Sequence, residues 1–295
     1  MAEEKGISDV NGKFVVPAAC AALALAPFVS FLAAAAGMVL PVQLVTGYVI
    51  SEFIGAAALS LICLRIGKRS GTLGDGADAV RLLIGVVAAI CFYPLAMCVS
   101  ELTGRFFPSE PLEDSFAVIA TGLQPWLVWV LLALLPAVSE ELLCRGVLFG
   151  ALRKYGALQA VVLSSIGFAC MHGSIQQGAY TFLMGVIWAC LRESTGSIAP
   201  GIISHLVFNT AGVMVMLEPQ SGGNAVGSGF LYSYQALALL AAFGAAGGVV
   251  LLRAARQRYN QIPVGGETWL GTWPLACVCI ACAVNIGFNM LLTMV

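Results

Sequence analysis

Three short patterns hold the polar residues best placed to do chemistry in an otherwise apolar sequence. They are Ser139-Glu140-Glu141-Leu142-Leu143-Cys144-Arg145, Phe168-Ala169-Cys170-Met171-His172 and His205-Leu206-Val207-Phe208-Asn209. Glu141 and Arg145 are four residues apart, in the favourable order for an ion pair on a helix. Glu140 points about 100° away from Glu141, which suggests one structural carboxylate and one working carboxylate. The chain has 2 histidines, and both stand in apolar stretches. An imidazole there can orient a water, donate to an oxyanion or ligate a metal. Phe168 and His172 share a helix face, as do His205 and Asn209, so Asn209 adds a second donor beside His205. Amide hydrolysis needs a base within reach of a water and donors aimed at the developing oxyanion. Glutamate, histidine and asparagine meet both needs without a serine, cysteine or aspartate. Two other readings stay open. His172, His205 and Glu140 or Glu141 could supply three zinc ligands with water in the fourth position, although no His-Glu-x-x-His helix is present. The same residues could also be polar glue between helices.

The elements that must carry these residues are membrane helices. Of 295 residues, 60% are hydrophobic and 10% charged, against about 25% charged in an ordinary soluble domain. Nucleic-acid binding is excluded by a net charge of −1 and the lack of a dense basic patch. The apolar runs are continuous rather than alternating, which argues for an all-α helical bundle over a β-barrel. Nine spans can be drawn, at about 14–38, 43–64, 82–101, 124–144, 157–171, 176–191, 198–217, 230–252 and 269–294. The first is too long for a signal-peptide core and is read as retained. With the N-terminus in the cytoplasm and the C-terminus outside, every Lys and Arg except Arg105 falls inside, Arg145, Arg153 and Arg192 included, as the positive-inside rule asks. Trp126 and Trp129 are read as interfacial aromatics of the fourth span. Loop 102–122, with Glu110, Glu113 and Asp114, is the longest outer connection. The fifth and sixth spans look short, and their Gly173-Ser174 turn is expected inside the membrane, shielded by protein.

Other polar features receive simpler readings. All ten cysteines lie in apolar runs, so they are expected as free, buried thiols. In Cys277-Val278-Cys279-Ile280-Ala281-Cys282, at most Cys279 and Cys282 can converge on one helix face. Glu52, Asn285 and Asn289 read as structural hydrogen bonders. Gly244, Gly247 and Gly248 read as close helix contacts, because no strand precedes them and no lysine follows for phosphate.

In order and on successive helices, Glu-Glu-x-x-x-Arg, Phe-x-x-x-His and His-x-x-x-Asn resemble the CPBP family over about 135–212. That family includes the CAAX prenyl endopeptidases of the Ras-converting type and bacterial intramembrane relatives of bacteriocin processing and self-immunity. The resemblance implies a glutamate-dependent intramembrane endopeptidase with a four-helix core and no cofactor or metal. Glu140, helped by His172, would activate water. His205 and Asn209 would form the oxyanion hole, and Glu141 and Arg145 would support the site. Its substrate partner would be a membrane-attached peptide or lipoprotein: a prenylated CAAX-like C-terminus, a transmembrane segment or a leader peptide. The apolar spans divide the chain into a three-helix membrane region at 1–122, a catalytic core at 123–217 that carries the resemblance and a two-helix region at 218–295, in the plasma membrane if the source is prokaryotic. A non-catalytic scaffold or bacteriocin-immunity protein of the same fold is the alternative from another class, and a zinc-dependent protease the alternative within the enzyme reading. In this topology Glu140 lies towards the inner end of its span and His172 at the far end of its helix. They meet only if the fifth helix is short or sunken, which places a cytoplasm-facing cavity partway into the bilayer.

Overall fold

The computed structural model describes residues 78–107, 122–172, 175–217 and a few isolated positions beyond. Among the described residues the chain is helical and forms no sheet. Five helices position the site. Helix α1 is Ala79–Gly104; α2 is Pro125–Leu152, one continuous helix; α3 is Ala157–Met171; α4 is Ile175–Thr195; and α5 is Ala199–Leu217. Helices α1, α2 and α5 are long and apolar enough to cross a membrane. The spans 14–38 and 43–64, the spans 230–252 and 269–294 apart from isolated positions, most of loop 102–122, the Gly173-Ser174 turn, Glu52, Asn285, Asn289 and the three cysteines Cys277, Cys279 and Cys282 lie outside the described residues.

Local sequence sets the ends of these helices. Asp78 caps α1 by accepting a hydrogen bond from the Arg81 amide at 2.8 Å, a common role for a short acidic side chain at this position. Gly156, between α2 and α3, has φ of 133°, a conformation open to glycine and strained for other residues. Only residues 196–198 separate α4 from α5. So short a connection makes them antiparallel neighbours. It brings Trp188, roughly two turns before the end of α4, opposite Ser204, a similar distance into α5.

Helix α2 departs from regular α geometry twice. Its turns widen to π spacing at Val130–Leu134 and again at Leu142–Leu148. The first widening precedes Pro136, whose ring would strike the carbonyl of Leu132 in a regular helix and which has no N–H to donate there. Between the two stretches lies Leu135–Glu141, which carries both glutamates. Widened turns of this kind recur at functional sites.

The core holds Phe92, Phe168, Trp188 and Phe208 with Leu143, Leu148, Leu152, Met184 and Leu191. Helix α4 packs against α3 and α1, while α5 packs against α1, α2 and α4. Beyond 217, Gly244 and Gly247 stand against α1, as close helix contacts should. A Cβ on Gly244 would come within 2.6 Å of the Cys91 carbonyl oxygen. Cys91, Cys98, Cys144, Cys170 and Cys190 form no disulfide.

Three expectations need correction. The fourth span does not end at 144: α2 runs on to Leu152, because the Arg145 charge is neutralised inside the protein instead of marking a membrane surface. Arg145 is fully buried, so it carries no weight in the inside-charge tally. The sixth span is not short, since α4 has 21 residues. At 1.5 Å each these cover about 30 Å, and the helix continues through Arg192 and Glu193 because Glu193 accepts two 2.8 Å bonds from Arg153. Trp129 is not simply an interfacial aromatic: its indole N–H donates to Thr210 Oγ1 at 2.8 Å and ties α2 to α5. The fifth span, by contrast, coincides with α3 at 15 residues, about 22 Å and shorter than a ~30 Å hydrocarbon core.

Candidate active site

With α2 ending at Leu152, Glu140 lies near the middle of a 28-residue helix, deeper than the sequence reading put it. His205 lies in the first half of α5, and His172 caps the short α3.

Arg145 and Glu141 are both 0% exposed. Such a buried pair persists only with good geometry and further partners, and both are present. Arg145 donates through Nη1 to Glu141 Oε1 at 2.7 Å and through Nη2 to the Gly185 carbonyl at 3.0 Å. Its guanidinium carbon also lies 4.4 Å from the Phe168 ring centroid and 5.3 Å from that of Trp188, near enough for cation–π attraction. Glu141 is thus the structural carboxylate that the four-residue spacing suggested.

The second carboxylate turns elsewhere. Glu140 Oε2 lies 3.8 Å from His205 Nε2, while Glu141 Oε1 lies 3.5 Å from Nδ1 of the same ring. One imidazole, only 3% exposed, therefore stands between two glutamates. Both distances exceed the usual 2.7–3.2 Å of an N–H···O bond.

His172 is better fixed. Its Nδ1 lies 2.9 Å from the Phe168 carbonyl. A carbonyl only accepts, so Nδ1 carries the proton and Nε2 of the neutral ring presents a lone pair. Phe168 joins the two histidines: its ring centroid is 4.9 Å from His172 and 5.7 Å from His205, edge-on to both. Asn209 stands one turn beyond His205, half-buried, and makes no hydrogen bond among the described residues. The structure therefore puts Glu140, Glu141, Arg145 and His205 in mutual reach, joins His172 to them through Phe168, and leaves Asn209 adjacent. Among the described residues no three His, Cys, Asp or Glu side chains are arranged to hold a metal ion, so the zinc reading lacks a ligand set there.

Four residues missed in the sequence complete the arrangement: Trp188, Ser204, Gly185 and Gly201. Trp188 carried a signal. Aromatics of membrane helices favour the helix ends, whereas Trp188 lies well inside α4. The glycines carried none, because their role is visible only across helices. A Cβ on Gly201 would come 2.8 Å from Glu141 Oε2, and one on Gly185 would come 3.1 Å from Arg145 Nη2. Gly201→Ala should therefore displace the Glu141 carboxylate and cost about 1–3 kcal/mol, even though alanine is the better helix former. Thermal unfolding in detergent checks this. Gly212→Ala is the control, since nothing described lies within 4 Å of a Cβ there and stability should not fall.

Comparison with known proteins points the same way. Residues 122–211 match the family model of the type II CAAX prenyl endopeptidase Rce1-like proteins. The putative membrane peptidase YdiL of Bacillus subtilis (strain 168) is 25% identical over 174 residues, spanning 57% of this chain and 70% of YdiL. No solved structure is significantly similar. The matched segment contains all three motifs and the whole of the site described above. The family model and the Bacillus relative are thus both similar to this chain, the model over the segment that carries the three motifs.

Proposed function

We propose that the protein is a glutamate-dependent intramembrane endopeptidase of CAAX-protease type. The observation that carries this reading is the buried Glu140–His205 pair, held beside a second glutamate whose charge Arg145 neutralises. Arg145 holds Glu141, and Glu140, whose Oε2 faces His205 Nε2 at 3.8 Å, is the carboxylate that we assign to proton transfer. In the reaction, Glu140 takes a proton from a water that the Nε2 lone pair of His172 helps to orient. The resulting hydroxide attacks the scissile carbonyl, and the negative charge develops on that carbonyl oxygen. His205, through an N–H at Nε2, and the Asn209 amide donate to this oxyanion. Glu140 then returns its proton to the leaving amine as the C–N bond breaks. No metal takes part in these steps.

The substrate follows from where the site lies. A peptide bond reaches a site in the middle of membrane-type helices when the peptide is itself held in the bilayer, by a prenylated CAAX-like end, a transmembrane segment or a leader. Our topology has nine helices with a four-helix catalytic core at 123–217, flanked by regions 1–122 and 218–295. It places the N-terminus in the cytoplasm, the C-terminus outside and the cavity open to the cytoplasm. A farnesylated synthetic peptide ending in a CAAX sequence, offered to full-length protein in liposomes, tests the enzyme class. Cleavage that persists with a zinc chelator is expected. Loss of cleavage on chelation and its return with added zinc would favour the zinc variant. A farnesylated peptide left intact while an unprenylated transmembrane peptide is cut would redirect the substrate assignment and keep the mechanism.

A further inference from the structure

The two ring nitrogens of His205 leave its orientation unexplained. A working histidine is usually held by a short hydrogen bond from the nitrogen that does not face the substrate. Here Nδ1 makes none; its neighbour, Glu141 Oε1, is 3.5 Å away. The ring is nevertheless well enclosed, and aromatic surfaces supply the enclosure. The Trp188 indole lies almost parallel to the imidazole, with centroids 4.0 Å apart and planes at 20°. Phe168 meets His205 edge-on at 84°.

The indole is itself immobilised. Its N–H donates to Ser204 Oγ at 3.0 Å, and Ser204 directly precedes His205 on α5. Phe168 packs edge-on against the indole at 5.4 Å. Trp188 is 1% exposed, so solvent does not loosen it. Rotation of the imidazole out of its plane would drive it into one aromatic ring or the other, which leaves Nε2 directed at Glu140.

We propose that Trp188, locked by Ser204, is a positioning residue that orients His205 for the reaction. This rests on the reading of His205 as an oxyanion donor. The indole face has a second effect of the same sign. As the oxyanion forms, the donating imidazole gains positive character, and the negative face of an aromatic ring attracts it. Neither contribution requires Trp188 to touch substrate.

The chain's two histidines make a direct test possible. Full-length protein labelled with 13C at histidine Cε1 gives two ring signals in detergent micelles. The His205 signal, assigned by its loss in His205→Ala, should be shifted upfield by the indole. Trp188→Leu should move it downfield, leave the His172 signal in place and lower kcat on the farnesylated CAAX peptide on the order of 10²-fold, the scale of a ~1 Å misplacement. KM should change little. Trp188→Phe keeps an aromatic face and should restore most of kcat, whereas Ser204→Ala should lower it by a smaller factor than Trp188→Leu. In a His205→Ala background, Trp188→Leu should add little further loss. An unmoved His205 signal in Trp188→Leu, an unchanged kcat, or a full additional loss in the His205→Ala background would overturn the proposal. Failure of the underlying reading looks different: His205→Ala would then be fully active, while the His205 signal would still respond to Trp188→Leu.

Discussion

Glu140→Gln should lower the cleavage rate by roughly 10³- to 10⁴-fold, the upper part of the range for loss of a general base, with the protein still folded. Glutamine is nearly isosteric and keeps an oxygen near His205 Nε2, but its amide does not accept the proton of an attacking water. The fold should survive because glutamine keeps the size and polarity of Glu140 and leaves Arg145 bound to Glu141 and Gly185, at 2.7 and 3.0 Å. Single-turnover cleavage of the farnesylated peptide, beside a thermal unfolding curve for the same preparation, measures both halves. A drop in rate with an unchanged midpoint is expected. Retained cleavage would transfer the role of base to another group.

Arg145→Ala should act in the opposite way and reduce stability first. It leaves Glu141 as an uncompensated charge with 0% exposure, a change that typically costs about 3–5 kcal/mol. It also removes the cation lying against Phe168 and Trp188 and the donor to the Gly185 carbonyl. Lysine should rescue poorly, because a single ammonium lacks the planar fork that reaches Glu141 and Gly185 together. Glu141→Gln combined with Arg145→Met removes both charges and should be less damaging than Arg145→Ala alone. Denaturant unfolding in micelles ranks the three variants. If Arg145→Ala unfolds like the wild type, the pair contributes no structural support.

What the sequence made legible follows from which forces act within one helix. The Glu141–Arg145 pair is an i, i+4 contact, so spacing alone revealed it, and structure adds only its burial. The length of α3 was legible because its apolar run is short and is followed by Gly173-Ser174. The end of α2 was not legible. A charge in an apolar run reads as a membrane boundary, and nothing in the sequence around Arg145 says that Gly185, forty residues later, will accept its second bond. Trp129 misled for the same reason, since its partner Thr210 is 81 residues away. The aromatic enclosure of His205 depends on the α4–α5 turn and on the approach of α3. It appears only when three helices are packed together.

The most direct test of the account compares new peptide termini in membranes from cells expressing wild-type protein or Glu140→Gln at equal levels. A glutamate-dependent endopeptidase predicts a small set of termini present with wild type and absent with Glu140→Gln, belonging to membrane-attached proteins. Identical profiles, under conditions where cells need the protein, would contradict proteolysis and identify the molecule as a non-catalytic member of its fold.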